Sequence, residues 1–400
     1  MNPGTEEIRR ARDYEAIKPL VELCKAGKLF QIQEWISAGK PVNPPPIPDK
    51  GQRPKSPLDV AIERGFHSLV QVLLKAGAAI EPEGWGSPMN KALEMRRLDV
   101  VQLLVEHGYD PRTVDMDRVF DSWDPEIMTF FIERGADIET GRPLAYAFSN
   151  RIRTALRIYK QYVKQFPSLQ EQANIALRHH CKEGNQKWIS LMLWLGADPY
   201  KPGSDACDEE PDDEDEGLSA LEYAALYDHF EIFETKQIRA NPTHPYLCRT
   251  LRYMCSGRGV EMMKQLLENG LDPNDQDNGG CSAIQGCLNG MSWSFRIDPW
   301  GLERDRKNID TERSRDGMKA IHLLVKHGAR WLPVDKDEIS DVRRSLLKLS
   351  PDYTAELIWI MWKYKACVLG TAEALLRTPA IKRHVSEHRK RLQEILSSWS

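Results

Sequence analysis

Four hundred residues, 41% hydrophobic and 28% charged, carry a formal net charge of only −4, so no whole-chain field recruits nucleic acid or an acidic membrane. The eight cysteines are scattered without a Cys-x-x-Cys pair, which excludes a small disulfide framework and a paired-cysteine zinc site and predicts reduced thiols. The N-terminal stretch MNPGTEEIRRARDYEAIK has no apolar signal-type segment and no apolar run approaches about 18 residues, so a soluble, cytoplasmic chain without a membrane partner is expected.

Residues 1–15 form a charged lead. Ala16 to Val42 reads as two short amphipathic helices, with Gly27 at the turn between them and Gly39 at the stop. The next stretch, 40–55, holds six prolines and four basic residues, too many prolines for a helix or a central strand, and predicts an extended, polyproline-like connector. Ser56 to Ala78, SPLDVAIERGFHSLVQVLLKAGA, is the clearest unit in the chain. Ser56 can cap a first helix and Pro57 can open it, because the missing proline N–H would have no helical partner at that position. Leu58, Ala61 and Ile62 share one face; Gly65 permits the turn; Leu69, Val70, Val72, Leu73 and Leu74 line a second helix that Gly77 ends in the left-handed conformation.

The pattern then recurs. SPMNKALEMRRLDVVQLLVEHGYDP repeats it with Arg96 and Arg97 at the turn, and Asp115 to Ile138 repeats it with a weaker first helix. The stops Gly77, Gly108 and Gly135 are 31 and 27 residues apart, whereas Gly135 to Gly196 is 61, so a degenerate unit is expected over Arg142 to Val163. Leu169 to Pro199 returns to form. Tyr200 to Gly217, YKPGSDACDEEPDDEDEG, places nine acidic residues between Asp205 and Glu216; their mutual repulsion predicts a solvated, disordered loop. Further units begin at Ser219, near Tyr246 and at Ser282. The last is interrupted over 289–316, between its two helices, before MKAIHLLVKHGARW restores the second. Amphipathic segments within 336–400 are suited to closing the stack.

The unit Ser56–Ala78 resembles the ankyrin repeat, whose pattern runs Thr-Pro-Leu-His-x-Ala through a Gly turn to Leu-Leu and then Gly-Ala. The resemblance covers Ala16 to Ile138 and Leu169 to Trp331. It implies an all-α solenoid of nine or ten stacked helix-turn-helix units with finger hairpins over 16–335, with insertions at 40–55, 200–217 and 289–316. One unit cannot bury its own apolar face, so each relies on its neighbours. The family further implies a concave surface of fingers and first helices that grips a protein, and it has no shared catalytic residues. The histidine that follows Pro-Leu in the family is replaced here by Asp59, Asn90, Ala145, Glu222 and Gln285, so the network tying finger to helix is expected to be altered.

Catalytic and metal chemistry find little support. His179, His180 and Cys181 are adjacent on an expected helix and point in different directions; Cys281 and Cys287 read as small buried residues. The acidic stretch lacks the sixth-position glycine of a calcium-binding EF-hand loop. No P-loop, G-x-S-x-G, H-E-x-x-H or G-x-G-x-x-G occurs, so neither an enzyme nor a cofactor is expected. Three features stand out as candidate partner contacts. Trp85 lies at an expected finger tip, where it either anchors a partner or packs on the next finger. Trp293, Phe295 and Trp300 interleave with Arg296 and Arg304, residue types that interfaces favour, or else fold down onto the stack. Asp212, Asp213, Glu214 and Asp215 either occupy a basic site on a partner or are merely solvated. The resulting expectation is a non-enzymatic module that binds a protein through its concave finger face, neutralising or regulating an enzyme; the alternative is a nucleic-acid-associated factor using the basic aromatic insertion 289–316. The oligomeric state stays open.

Overall fold

The computed structural model describes residues 10–46, 55–82, 86–204, 217–255, 257–274, 282–293, 306–330, 346, 351–364, 366 and 379–385. Helices follow one another in pairs: α1 (Tyr14–Lys25) with α2 (Leu29–Ser37), α3 (Pro57–Glu63) with α4 (His67–Lys75), α5 (Pro88–Glu94) with α6 (Leu98–Glu106), α7 (Met116–Asp121) with α8 (Pro125–Ile132), and α9 (Pro143–Ser149) with α10 (Thr154–Tyr162). Next come α11 (Leu169–Glu183) with α12 (Gln186–Trp194), and α13 (Ala220–Leu226) with the 3-10 turn Phe230–Glu234 and α14 (Lys236–Arg239). Then α15 (Tyr246–Thr250) and the 3-10 turn Leu251–Tyr253 pair with α16 (Gly257–Glu268), and α17 (Ala283–Trp293) with α18 (Arg306–Lys326). Extended pairing among the described residues is confined to a parallel bridge between Arg10 and Asn43. The described residues fold as successive helix pairs, and the degenerate unit around Arg142 is present as α9 and α10.

Chain contacts divide the protein into two units, Met1–Ala176 and Leu177–Ser400, with the division inside α11. In the first unit α1, α3, α5, α7 and α9 pack in succession as one layer, and α2, α4, α6, α8 and α10 as a second. Ile62, Val70, Leu73, Met89, Val101, Leu104, Phe120 and Phe131 are buried between the layers. Burying each such side chain contributes about 1.5–3 kcal/mol. In the second unit α15 and its 3-10 turn pack on α13, α17 packs on that turn, and α18 packs on α16 and α17. The helix Pro351–Lys363 lies against α18, and its Thr354 hydroxyl donates to the Leu346 carbonyl at 2.9 Å.

Local chemistry explains the helix ends. Ser56 and Asp59 form a reciprocal capping box on α3, with Pro57 at the first position; Ser219 and Glu222 do the same on α13. Each first helix of the first seven pairs ends in a left-handed residue, at Gly27, Gly65, Arg96, Trp123, Arg151, Gly184 and Asp228. At two of these the glycine has a second reason to be there. A Cβ on Gly27 would lie 2.8 Å from the Phe66 ring, and one on Gly184 would lie 2.5–2.9 Å from the His229 ring. The residue that follows the left-handed position in one unit thus lies across the turn of the unit before it.

The fingers are tied by side chains. The Asn43 amide donates to the Gly77 carbonyl at 2.8 Å and accepts from the Ala79 N–H at 2.6 Å, joining the first finger to the stop of the next unit. A fully buried Arg178 donates to the carbonyls of Ser204 at 2.6 Å and Lys201 at 3.2 Å. Gly203 and Gly217 touch there, since a Cβ on Gly217 would overlap the Gly203 carbonyl. The acidic residues 205–216 lie outside the described residues.

Candidate protein-interaction face

On the second unit, the first helix α13, the finger at Tyr200 and α15 bring aromatic and charged side chains into one connected row. At its base Glu222 is fully buried. One carboxylate oxygen accepts the Ser219 N–H at 2.9 Å, completing the capping box. The other accepts from Arg252 Nη2 at 2.8 Å and stands 3.3 Å from Arg249 Nε. Two guanidiniums therefore share one carboxylate, and both arginines are largely buried. Burying a charge is costly unless it is paired and hydrogen-bonded, and here ion pairs and a cap meet that cost together.

The row continues from these arginines. The Arg249 guanidinium carbon lies 5.7 Å from the Tyr246 ring centroid, and that of Arg252 lies 4.9 Å from Tyr253. Tyr246 stacks with His244 at 5.8 Å, and His244 stacks with Tyr200 at 3.7 Å. Lys182 lies 5.8 Å from the Tyr223 ring. Tyr246 is 41% exposed, and Leu226 and Tyr227 are 46% exposed. Because cation–π contacts and stacking restrict rotamers before anything binds, such a surface loses little side-chain entropy on contact. It combines Tyr and Arg, the residue types in which binding hot spots are enriched, with a buried charged base.

These residues differ from those singled out in the sequence. Trp85, Phe295, Arg296, Trp300, Arg304, Asp212, Asp213, Glu214 and Asp215 lie outside the described residues. Trp293 is the last residue of α17. The helices α17 and α18 extend into the interruption from either side, leaving 294–305 between them. Sequence reasoning passed over Tyr200, Tyr223, His244, Tyr246, Arg249 and Arg252. A signal was available in HPYLCRTLRYM, where Tyr246, Arg249 and Arg252 recur at helical i, i+3 spacing.

The pair His179–His180 serves packing: the two rings meet edge to face at 5.4 Å, and the buried His180 stacks on Trp188 at 5.4 Å. Among the described residues no group of three or more His, Cys, Asp or Glu side chains is placed to hold a metal ion. Nor, among them, is any helix long and apolar enough to cross a membrane.

The chain is 27% identical over 354 residues to the ankyrin repeat and KH domain-containing protein mask-1 of Caenorhabditis elegans, an alignment covering 84% of this chain and 12% of that protein. This chain thus corresponds to a small part of that relative's length. The human ASB11 ankyrin repeat domain is similar over 52% of this chain and 91% of that one, at 18% identity and a TM-score of 0.37. No family model matches the chain.

Proposed function

We propose that this chain, built of ankyrin repeats, is a non-catalytic module that binds a protein partner through the first-helix face of its second unit. The reading rests on the row Tyr200–His244–Tyr246–Arg249, partly exposed and fixed at its base by the buried Glu222. Ankyrin repeats in general serve protein recognition, which supports the same conclusion. Trp85, which the sequence pattern places at an expected finger tip, and the aromatic and basic residues of 289–316 belong to this proposal as additional contacts.

Affinity capture with the full chain, followed by calorimetry with the purified partner, tests it. Tyr246→Ala and Arg249→Ala should each weaken binding by about 2 kcal/mol, the level that marks a hot spot. Equal affinity for parent and variants, all with unchanged melting, would move the site elsewhere. Titration of single-stranded RNA and DNA at rising salt addresses the alternative: affinity that falls steeply with salt would favour a nucleic-acid-associated role through the insertion 289–316.

A further inference from the structure

Cys255 and Cys287 belong to neighbouring helix pairs, 32 residues apart in sequence, and their Sγ atoms stand 2.6 Å from one another. Cys255 follows the 3-10 turn Leu251–Tyr253 and is partly exposed, whereas Cys287 is fully buried on α17. A glycine sets this approach. A Cβ on Gly286 would lie 2.8 Å from the Arg252 Cα, so the missing side chain lets α17 settle against the turn and carries the next residue's thiol onto Cys255. The Cys255 S–H also reaches the Arg252 carbonyl oxygen of its own turn, at 3.3 Å.

Cys24, Cys181 and Cys248 are buried; burial pushes the Cys24 thiol up to about 12 and raises that of Cys181 as well. The thiolate is the nucleophile, so thiols held protonated in apolar surroundings react slowly. Cys255 and Cys287 instead combine one reachable sulfur with a second in contact behind it, the arrangement of an attacking and a resolving cysteine.

We propose that Cys255 and Cys287 form a reversible dithiol–disulfide site whose co-reactant is a low-molecular-weight disulfide of the glutathione class. The Cys255 thiolate attacks one sulfur of that disulfide, breaking its S–S bond and forming a mixed disulfide as the first small thiolate leaves and takes up a proton. Cys287 then gives up its proton and attacks the Cys255 sulfur, forming the Cys255–Cys287 bond and expelling the second small thiol. The protein dithiol loses two electrons, and the small disulfide gains them as two thiols. The product joins the Arg252 turn covalently to α17. The inference stands apart from the interaction reading, since the bond forms or fails whether or not a partner binds.

The test uses the full chain, reduced and then equilibrated without oxygen in mixtures of glutathione and glutathione disulfide. Samples are acid-quenched, alkylated and mapped as peptides without reduction. A Cys255–Cys287 cross-linked peptide should accumulate as glutathione disulfide rises, at a rate independent of protein concentration, and disappear with dithiothreitol. Cys255→Ser and Cys287→Ser should each abolish it. Since Cys255 is partly exposed, its serine variant keeps the test readable even where replacing the buried Cys287 prevents folding. The oxidised parent should also melt at a higher temperature than the reduced parent, a difference absent in Cys255→Ser. The proposal is overturned if both thiols stay fully alkylatable across the series, if the reaction stops at glutathione on Cys255, or if Cys255 pairs with Cys281 or with a second chain.

Discussion

The side-chain oxygen of Gln172 accepts the backbone N–H of Leu144 at 2.8 Å, 28 residues earlier in the chain. It also accepts the Ala145 N–H at 3.3 Å, and its amide nitrogen donates to the Ile138 carbonyl at 2.7 Å. The helix α9 begins after Arg142, which is left-handed and gives no side-chain cap, and Pro143 has no N–H to satisfy. The N–H groups of Leu144 and Ala145 are those a local cap would ordinarily take. A residue of the following unit takes them instead, at a position where the family's histidine is replaced by alanine.

Gln172→Ala should therefore destabilise the first unit by about 2 kcal/mol, because buried backbone groups lose their partners. Chemical denaturation would measure the loss. Hydrogen exchange should accelerate at Leu144 and Ala145 more than at Leu58; uniform acceleration, or none, would contradict the assignment.

The exposed Arg96 is left-handed, with φ +53°, where the two preceding units carry Gly27 and Gly65. A Cβ in that conformation is strained, and glycine removes the strain at the cost of a looser unfolded chain. Arg96→Gly should stabilise the protein by about 1 kcal/mol or slightly less, read as a higher denaturation midpoint at unchanged slope. A lower midpoint would mean that the arginine side chain contributes more than its backbone strain costs.

Burial, reinforced by Asp115 and Asp121, pushes the Asp117 carboxyl up to about 6, with Arg118 opposing. Tyr146 of α9 faces the same cluster and donates to Asp121 at 3.1 Å. The folded chain thus holds this proton more tightly than the unfolded chain, whose aspartate titrates near 3.9. The associated stability is fully present below about pH 4 and is lost as the pH rises through about 6. Asp117→Asn should flatten this part of the stability profile and leave the variant the more stable of the two near pH 7. Parallel profiles for parent and variant in urea titrations would refute it.

Because Gly203 and Gly217 touch, the stack is already closed at the base of the acidic segment. Removing Asp205 to Glu216 should leave the melting temperature almost unchanged or slightly raised, as a shorter loop costs less to close. A large drop on calorimetric scanning would show that the segment packs on the second unit.

Glu222→Gln retains a group able to accept the Ser219 N–H but removes the charge shared by Arg249 and Arg252. Stripping one partner from a buried ion pair costs about 3–5 kcal/mol, so a loss of that order is expected in thermal and denaturant unfolding. A near-neutral substitution would mean that hydrogen bonding alone holds this base together.

The helix pairs could be read from the sequence because their signals are local. Ser56-Pro57, the apolar spacing from Leu58 to Leu74 and the stops at Gly77, Gly108 and Gly135 each act within one unit, and their spacing alone placed a hidden pair over Arg142–Val163. Where the turn residue is Trp123, Arg151 or Asp228, no local cue marks the left-handed conformation; the helices packed on either side impose it. Tertiary structure alone decided that Gln172 would cap α9, that Asn43 would fasten a finger to the next stop, and that Cys287 would meet Cys255. It also gathered Tyr200, His244, Tyr246 and Arg249 around Glu222. The Gln172, Asn43, Cys287–Cys255, Tyr200–His244 and Glu222–Arg249 contacts each reach from one repeat to another, and periodicity shows that repeats stack without showing which groups then meet.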